Sequence, residues 1–182
     1  LKLETLLFLK IMLESHGAAT LQPHVEVVCP VLVACISEEW YKIVAEALRV
    51  VRVLMGVIRP REEGAEMFSA SDFDFAEHVD PLYEAVQPRL AAHDIDQEIK
   101  EAAIAAMGAL ISTAGDELED ELPTVLPLLH ERLRNEITRM PALRALGEIA
   151  SSPLDVDLQC ILAPVTKELA AFLRQQSRAL KQ

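Results

Sequence analysis

Glycine and aromatic residues are scarce in this sequence of 182 residues. Six glycines are present, and phenylalanine, tryptophan and tyrosine together make up 4% of the chain, although 51% of the residues are hydrophobic. Strand-rich domains usually carry more aromatic residues, threonine and turn glycines. Leucine, isoleucine, valine and alanine therefore supply the apolar mass, and these proportions are typical of a helical protein.

Basic residues are also in short supply. The sequence has 17 lysines and arginines against 29 aspartates and glutamates, which leaves a formal net charge of −12. Because nonspecific binding to nucleic acid needs a basic face for the phosphates, we expect no nucleic-acid partner. An acidic surface either favours solubility or attracts a basic partner, and the composition leaves both readings open.

Cysteine is infrequent, and no cysteine pair has the spacing of a metal site. Because Cys29, Cys35 and Cys160 are odd in number, we predict buried, reduced thiols of an intracellular protein. We find no basic segment followed by an apolar run and no roughly 18–20 uninterrupted apolar residues, so we expect neither a signal peptide nor a membrane helix. Both termini read as parts of helices, and we interpret the chain as a fragment of a longer protein.

Catalytic motifs are missing as well. The sequence has no phosphate-binding glycine loop, HExxH, CxxC or GxSxG pattern. Its five histidines are scattered, and we interpret each as a solvated or helix-end residue rather than a metal ligand. We therefore expect no enzyme, no cofactor, no metal and no small-molecule substrate.

What the sequence does contain is a repeated helical pattern. Four segments share a polar entry followed by apolar residues at helical spacing: 1–13, 41–58, 97–111 and 135–150. The equivalent residues Leu6, Leu48, Ile104 and Leu143 lie 42, 56 and 39 residues apart. Two of these steps are near the ~40–47-residue period of HEAT and armadillo repeats, and the long step contains the Pro-, Gly- and Ser-rich segment 60–75.

A second set of apolar segments lies between the first: 23–36, 80–92, 122–134 and 158–173. The alternation predicts an all-α HEAT/armadillo-like superhelix, or solenoid, with about four helical hairpins and the start of a fifth. The expected repeats are 1–36, 37–93, 94–134 and 135–174, with 175–182 opening the next one.

The segment 102–115 contains no charged side chain. It is too apolar for an ordinary surface helix, which would keep one polar stripe. In a solenoid a middle helix is covered by the hairpins before and after it. We therefore predict that this helix is buried on two sides and that Ala106→Glu would break the stack.

Prolines and helix caps mark the expected boundaries. We predict kinks or late helix starts at Pro30 and Pro88, and a bend at Pro141 in a helix capped by Asn135.

Asp94 with Gln97 resembles a capping box, and Gly17 and Gly115 stand where a helix C′ residue is expected. The acidic run 116–121 suits the start of the next helix, and a site for a basic ligand is the alternative.

Two groups of residues are candidates for binding a partner. Phe73 and Phe75, in the loop segment 69–75, either fold back as a plug over the core or dock into another protein. The second group contains polar residues near the ends of the second-set helices, which we expect to line the concave face. These are Arg89, His93, Glu131, Arg132 and Arg134. For the basic ones, favourable charge at a helix C-terminus is the alternative reading.

Specific stretches carry a family likeness over essentially the whole chain. They are "YKIVAEALRV…VIRP" (41–60), "DIDQEIKEAAIAAMGALISTAGDEL" (94–118), "NEITRMPALRALGEIASSPL" (135–154) and "FLRQQSRALKQ" (172–182). They resemble the central HEAT repeats of the cullin-associated, neddylation-dissociated family, especially its plant-type members.

This resemblance implies a segment of a long right-handed superhelix that wraps an unneddylated cullin and its RING subunit. Such a protein exchanges substrate receptors among SCF-type and other cullin–RING ubiquitin ligases, is not an enzyme, and occurs in cytoplasm and nucleus. Within it, the matched segment sets the geometry of the arch at least as much as it makes contacts.

Two other hypotheses stay open at this point. Another HEAT adaptor, such as a nuclear transport receptor or a phosphatase scaffold, would also be an acidic helical solenoid. An unrecognised enzyme would need a deep polar cleft lined by histidines and carboxylates.

Overall fold

The structure, a computed structural model, describes residues 1–62 and 65–179, with side chains through Arg174. Within these residues the chain forms nine α-helices and one 3₁₀-helix and no strand, so the prediction of an all-α solenoid is confirmed. The α-helices are α1 (Lys2–Ser15), α2 (Ala18–Leu21), α3 (Val25–Ile36), α4 (Tyr41–Ile58), α5 (Ala76–Ala91), α6 (Gln97–Ala114), α7 (Leu122–Arg134), α8 (Arg139–Ala150) and α9 (Gln159–Ala179), and the 3₁₀-helix spans Gln22–His24.

The helices form two stacked layers. The A layer consists of α1, α4, α6 and α8, and the B layer consists of α3, α5, α7 and α9; each helix contacts the next one in its own layer. The two layers come closest where a B helix meets the A helix that follows it in the chain, at α3–α4, α5–α6 and α7–α8. A middle helix therefore has neighbours on both flanks and one across the layer.

The central helix α6 shows the effect of this arrangement. It packs between α4 and α8 within the A layer and against α5 of the B layer. Twelve of its residues are buried, and within the uncharged stretch only Ala105 and Thr113 in the helix are half-buried. The prediction of two-sided burial is confirmed, and it explains why the segment carries no charge, because a buried charge needs a partner.

The predicted bend at Pro141 is wrong because the helix begins later than expected. Residues 136–138 form turns, in which Asn135 Oδ1 accepts from the Ile137 amide at 3.0 Å and Thr138 Oγ1 donates to the Arg132 carbonyl at 2.7 Å. Helix α8 then starts at Arg139, so Pro141 is its third residue. The amide of that position has no partner inside a helix, so proline costs little there.

Pro30 and Pro88 lie inside continuous helices, α3 and α5, so neither marks a late helix start. Proline has no amide hydrogen to donate, and the carbonyls four residues earlier lose that helical bond. Glu26 and Glu84 carry those carbonyls.

The caps differ in detail from the predicted ones. Asp96, and not Asp94, is the N-cap of α6, and its side chain accepts from the Glu98 amide at 2.8 Å. Gly17 and Gly115 do follow helices, but neither adopts a left-handed conformation, since their φ angles are −63° and −65°. At Gly115 a Cβ atom would lie 2.5 Å from the Ile111 carbonyl oxygen, so the constraint there is close approach.

One segment, Ala18–Ile36, is long and apolar enough to cross a membrane by composition, with 39% of it buried. In the fold it is divided into α2, the 3₁₀-helix and α3, and α3 packs against α4 and α5. At the other end, α9 continues past residue 174 to Ala179, through part of the stretch expected to open a further repeat, and residues 180–182 lie outside the described residues.

The three cysteines are free thiols. Cys29 and Cys35 are buried as expected, whereas Cys160 is exposed, which corrects that part of the prediction. Burial raises the pKa of the Cys29 thiol to about 11, and burial also raises the pKa of Cys35.

Candidate partner-binding surfaces

The predicted contact residues fall at two opposite rims of the layers. One, the B rim, is formed by the carboxyl ends of the B helices. The other, the A rim, is formed by the carboxyl ends of the A helices and the segments that lead from them to the B helices. Helix α5 has 16 residues and is therefore about 24 Å long. Phe75 precedes its first residue and Arg89 lies in its last turn, so the two groups do not form one site.

Arg132, on the B rim, is buried rather than exposed, with 3% of its surface accessible. Its guanidinium donates to the carbonyls of Leu90, Ala91 and Ala92 at 2.8–3.2 Å. These carbonyls end α5, the preceding B helix, and have no partner within it. The expectation of an exposed contact residue is wrong for Arg132, which caps a neighbouring helix.

Arg89 repeats this arrangement 43 residues earlier in the chain. Its Nε and Nη2 atoms donate to the Ile36 carbonyl at 3.1 and 2.7 Å, at the end of α3. Arg89 is half-buried. The two arginines therefore join three successive B helices. Each places its basic charge at the C-terminus of the preceding B helix rather than at the C-terminus of its own helix.

The remaining predicted residues of the B rim are exposed. His93 Nδ1 lies 3.7 Å from Glu131 Oε1, and Arg134 Nε lies 3.6 Å from Glu168 Oε1 on α9. Such exposed pairs contribute about 0–1 kcal/mol. His93, Glu131 and Arg134 stay candidate contact residues, since their side chains are free to exchange these weak pairs for a partner's.

Phe73 and Phe75 both pack against the core of the A rim and are half-buried. The Phe73 ring stacks on the buried His78 ring with centroids 5.8 Å apart. Phe75 lies beneath the Arg59 guanidinium at 5.1 Å. These contacts favour the plug reading over the docking reading.

Arg59, the residue after α4, organises the A rim. Its guanidinium donates to both carboxylate oxygens of Asp116 at 2.8 Å and to the Thr113 carbonyl at 3.1 Å, at the end of α6. It also lies over the Phe68 ring at 4.5 Å. Arg61 continues the line by donating to the Ser151 carbonyl after α8 at 3.2 Å. Arg59 and Arg61 thus tie the ends of three A helices together.

A second contact holds this segment to the start of the chain. The buried Gln22 donates from Nε2 to the Val57 carbonyl at 3.0 Å, and its Oε1 accepts from Ser71 Oγ at 3.1 Å. The two bonds use both halves of the amide, so Gln22 links α4 to the segment 60–75.

The A rim is strongly acidic. A cavity of about 520 Å³ lies between the turns that follow α6 and α8. Its acidic lining residues are Asp116, Glu119, Asp120, Asp155 and Asp157. Within the described residues no group of three or more His, Cys, Asp and Glu could hold a metal ion. These five carboxylates concentrate negative charge on this part of the A rim.

The family follows from comparison with known proteins. The sequence model of a family described as "CAND1-like, TPR repeats" matches residues 1–107, more than half of the chain. The chain belongs to the CAND1-like family. TPR and HEAT repeats are both stacked helical hairpins. Helix α4 begins 39 residues after the start of α1, and α8 begins 42 residues after the start of α6, and both separations agree with the HEAT period.

Named relatives match this CAND1-like chain over its full length. It is 44% identical to "Cullin-associated NEDD8-dissociated protein 1" of Arabidopsis thaliana and 42% identical to the Drosophila melanogaster protein of the same name. It is 40% identical to "Cullin-associated NEDD8-dissociated protein 2" of Mus musculus. The chain spans 14% of the length of each of these relatives.

The CAND1-like chain also has exposed apolar residues that sequence reasoning did not single out. Large apolar side chains are exposed at both ends of the array: Phe8 and Ile11 on α1, Val27 and Val31 on α3, and Leu162 on α9. An apolar groove of about 250 Å³ lies between α8 and α9. The helical period would have marked these side chains as apolar positions but not as uncovered ones, because coverage depends on neighbouring elements.

Gln22 and Arg59 were missed for a different reason. Their partners lie 49 and 57 residues away in the chain. No local sequence pattern predicts such contacts, since they form only when the ends of the A helices meet.

Proposed function

We propose that this chain is a structural segment of a cullin-binding scaffold that exchanges substrate receptors among cullin–RING ubiquitin ligases. The observation that carries the proposal is the 44% identity, over the whole chain, to a protein named for its association with cullin and its dissociation by NEDD8. The proposed partners are a cullin and its RING subunit, the proposed locations are cytoplasm and nucleus, and the proposed role involves no catalysis.

The architecture supports a scaffold role. A solenoid offers long continuous rims to an extended partner and needs no catalytic group for this. The arginine contacts along the B rim, and those of Arg59 and Arg61 along the A rim, hold successive helices at a set spacing. We infer that this segment mainly sets the curvature of the longer protein and brings binding surfaces on either side of it into register.

Binding to a cullin–RING complex tests the proposal. The full-length protein and the chain of residues 1–182 are titrated against the unneddylated complex and, in parallel, against the neddylated complex. We expect nanomolar binding of the full-length protein to the unneddylated complex, at least about 100-fold weaker binding of the short chain, and loss of binding after neddylation. About 100-fold corresponds to about 2.7 kcal/mol.

Two outcomes would overturn parts of the proposal. Full-strength, neddylation-sensitive binding by residues 1–182 alone would contradict the role as a spacer. Recovery of nuclear-transport or phosphatase subunits, with no cullin, in a pull-down with the full-length protein would contradict cullin binding altogether.

A further inference from the structure

Ser71 lies in an exposed stretch of the segment 60–75 that has a distinctive charge pattern. Residues 68–75 form neither helix nor strand, and Ser71 is exposed. The residues one and three positions after it are Asp72 and Asp74, and Glu77 follows at the start of α5. Protein kinases bind their substrates as extended segments, so a stretch without helix that carries carboxylates after the serine fits an enzyme with a basic substrate groove.

We propose that Ser71 is a phosphorylation site for an acidophilic protein kinase and that a phosphate there releases residues 68–75 from Gln22. The inference goes beyond the scaffold role, because it assigns a modification site and a switch to the A rim. It rests on the acidic pattern around Ser71 together with the two hydrogen bonds that the Ser71 hydroxyl makes.

The other serines whose side chains the structure describes lack this combination. Ser69 and Ser152 are half-buried, and the Ser152 hydroxyl donates to the Ser112 carbonyl. Ser37 is exposed and is followed by acidic residues, but it ends α3, and its hydroxyl donates to the Val33 carbonyl inside that helix. Among the serines whose side chains the structure describes, Ser71 is the one that is exposed, lies outside a helix and has a carboxylate three residues later, at Asp74.

The reaction is an ordinary phosphoryl transfer from ATP. Ser71 Oγ attacks the γ-phosphorus, the new Oγ–P bond forms, and the bond from that phosphorus to the bridging oxygen of ADP breaks. The hydroxyl proton passes to the catalytic aspartate of the kinase, and ADP leaves. The product is a phosphoserine with a charge of about −1.5 to −2 at pH 7.

The phosphate removes the donor on which the Gln22 contact depends. Ser71 Oγ donates to Gln22 Oε1, and as an ester oxygen it has no hydrogen left to donate. Turning the amide around would let Nε2 reach the phosphate, but it would then place Oε1 against the Val57 carbonyl, which now accepts from Nε2. Gln22 is buried, so either arrangement leaves a buried polar atom without a partner.

Charge acts in the same direction. A phosphate at Ser71 stands beside the carboxylates of Asp72 and Asp74, and like charges repel. The Phe73 amide donates to Ser71 Oγ at 3.2 Å, so this change reaches the ring that stacks on His78. Release therefore frees the Phe73 side of the segment first, while Arg59 and Arg61 still hold the other side.

A kinase assay on the folded chain tests the site. The chain is incubated with a purified acidophilic serine/threonine kinase and Mg·ATP, and the sites are mapped by mass spectrometry. We expect one main phosphorylated residue, Ser71, no incorporation there in Ser71→Ala, and at least about tenfold slower incorporation in Asp74→Asn, since one pairing charge at a kinase groove is lost. Ser37→Ala is the matched control and should behave as the parent chain does. Modification of Ser37 in place of Ser71, or an unchanged rate in Asp74→Asn, would overturn the proposed site.

Hydrogen–deuterium exchange tests the switch. The phosphorylated chain should exchange the amides of residues 65–75 about tenfold faster than the unmodified chain, as expected when a buried hydrogen bond is lost. Gln22→Leu, which lacks both bonds, should raise exchange in the same residues without phosphate. Unchanged or slower exchange after phosphorylation would show that the phosphate leaves the segment in place and would overturn the release.

Discussion

Gly108 of α6 and Ala145 of α8 bring the backbones of their two helices into direct contact. A Cβ atom added at Gly108 would lie 2.7 Å from the Ala145 Cβ atom and 3.0 Å from its Cα atom. Real Cβ atoms do not approach others this closely, so a side chain at residue 108 would push α8 away from α6. The two-sided burial of α6 depends on this missing methyl group.

Gly108→Ala should therefore destabilise the chain by about 1–3 kcal/mol, because overpacking outweighs the gain of about 1 kcal/mol in helix propensity. Urea unfolding measures the change. Gly56→Ala, on α4, is the matched control because no heavy atom lies within 4 Å of its added Cβ atom. It should stabilise the chain by about 0.5–1 kcal/mol. Equal effects of the two substitutions would contradict the close approach.

Ala106→Glu tests the burial of the uncharged helix. Ala106 has no accessible surface, so the glutamate would place a carboxylate in the packed interior around α6 without a partner. We expect a loss of at least about 3 kcal/mol, or failure to fold as one unit. Ala105→Glu is the control: Ala105 is half-buried, and its substitution should cost less than about 1 kcal/mol. Thermal unfolding followed by circular dichroism separates the two cases.

Arg132→Leu tests whether the buried arginine is structural. The substitution leaves the last carbonyls of α5 without their donor, so we expect a loss of about 2–4 kcal/mol. Arg134→Leu removes only an exposed pair with Glu168 and should change stability by less than about 1 kcal/mol. Guanidinium unfolding measures both. An Arg132 variant with unchanged stability but weaker cullin binding would restore Arg132 as a contact residue.

The double substitution Phe73→Ala and Phe75→Ala separates the plug from the docking site. Both rings are half-buried against the core, so we expect a loss of about 2–4 kcal/mol and a melting temperature lower by about 5–10 °C. Met67→Ala, in the same segment, is the control because Met67 is 69% exposed. Unchanged melting with reduced cullin binding would instead favour docking.

Alkaline pH should destabilise the chain through Cys29. Burial raises the pKa of this thiol from 9.0 to about 11, so the folded state keeps its proton at a pH where the unfolded state has lost it. The stability that comes from burying the neutral Cys29 thiol is therefore fully present below pH 9 and is lost as pH rises from 9 to 11. Between pH 8 and pH 10 the parent chain should lose about 1 kcal/mol more stability than Cys29→Ala, as measured by urea unfolding at both values. Equal losses would contradict the raised pKa.

The sequence alone determined the helical layers. Apolar residues at helical spacing placed α4 at 41–58 and α7 at 122–134, and the structure has both helices with these bounds. The uncharged stretch 102–115 predicted a helix covered on two sides, because a helix without a polar face must be covered by neighbouring helices. These features are local or periodic, so they could be read from spacing.

The structure alone decided the roles of single polar residues. Sequence reasoning placed Pro141 deep inside a helix. No local pattern showed that Asn135 and Thr138 would form a turn after α7 before the next helix begins. Arg132 looked like a solvated residue, yet it caps a helix that ends 41 residues earlier in the chain. The spacing of helices along the chain is set by local propensity and hydrophobic period. Which carbonyl a buried arginine meets is set by the register between stacked helices, and that register exists only once the layers have packed.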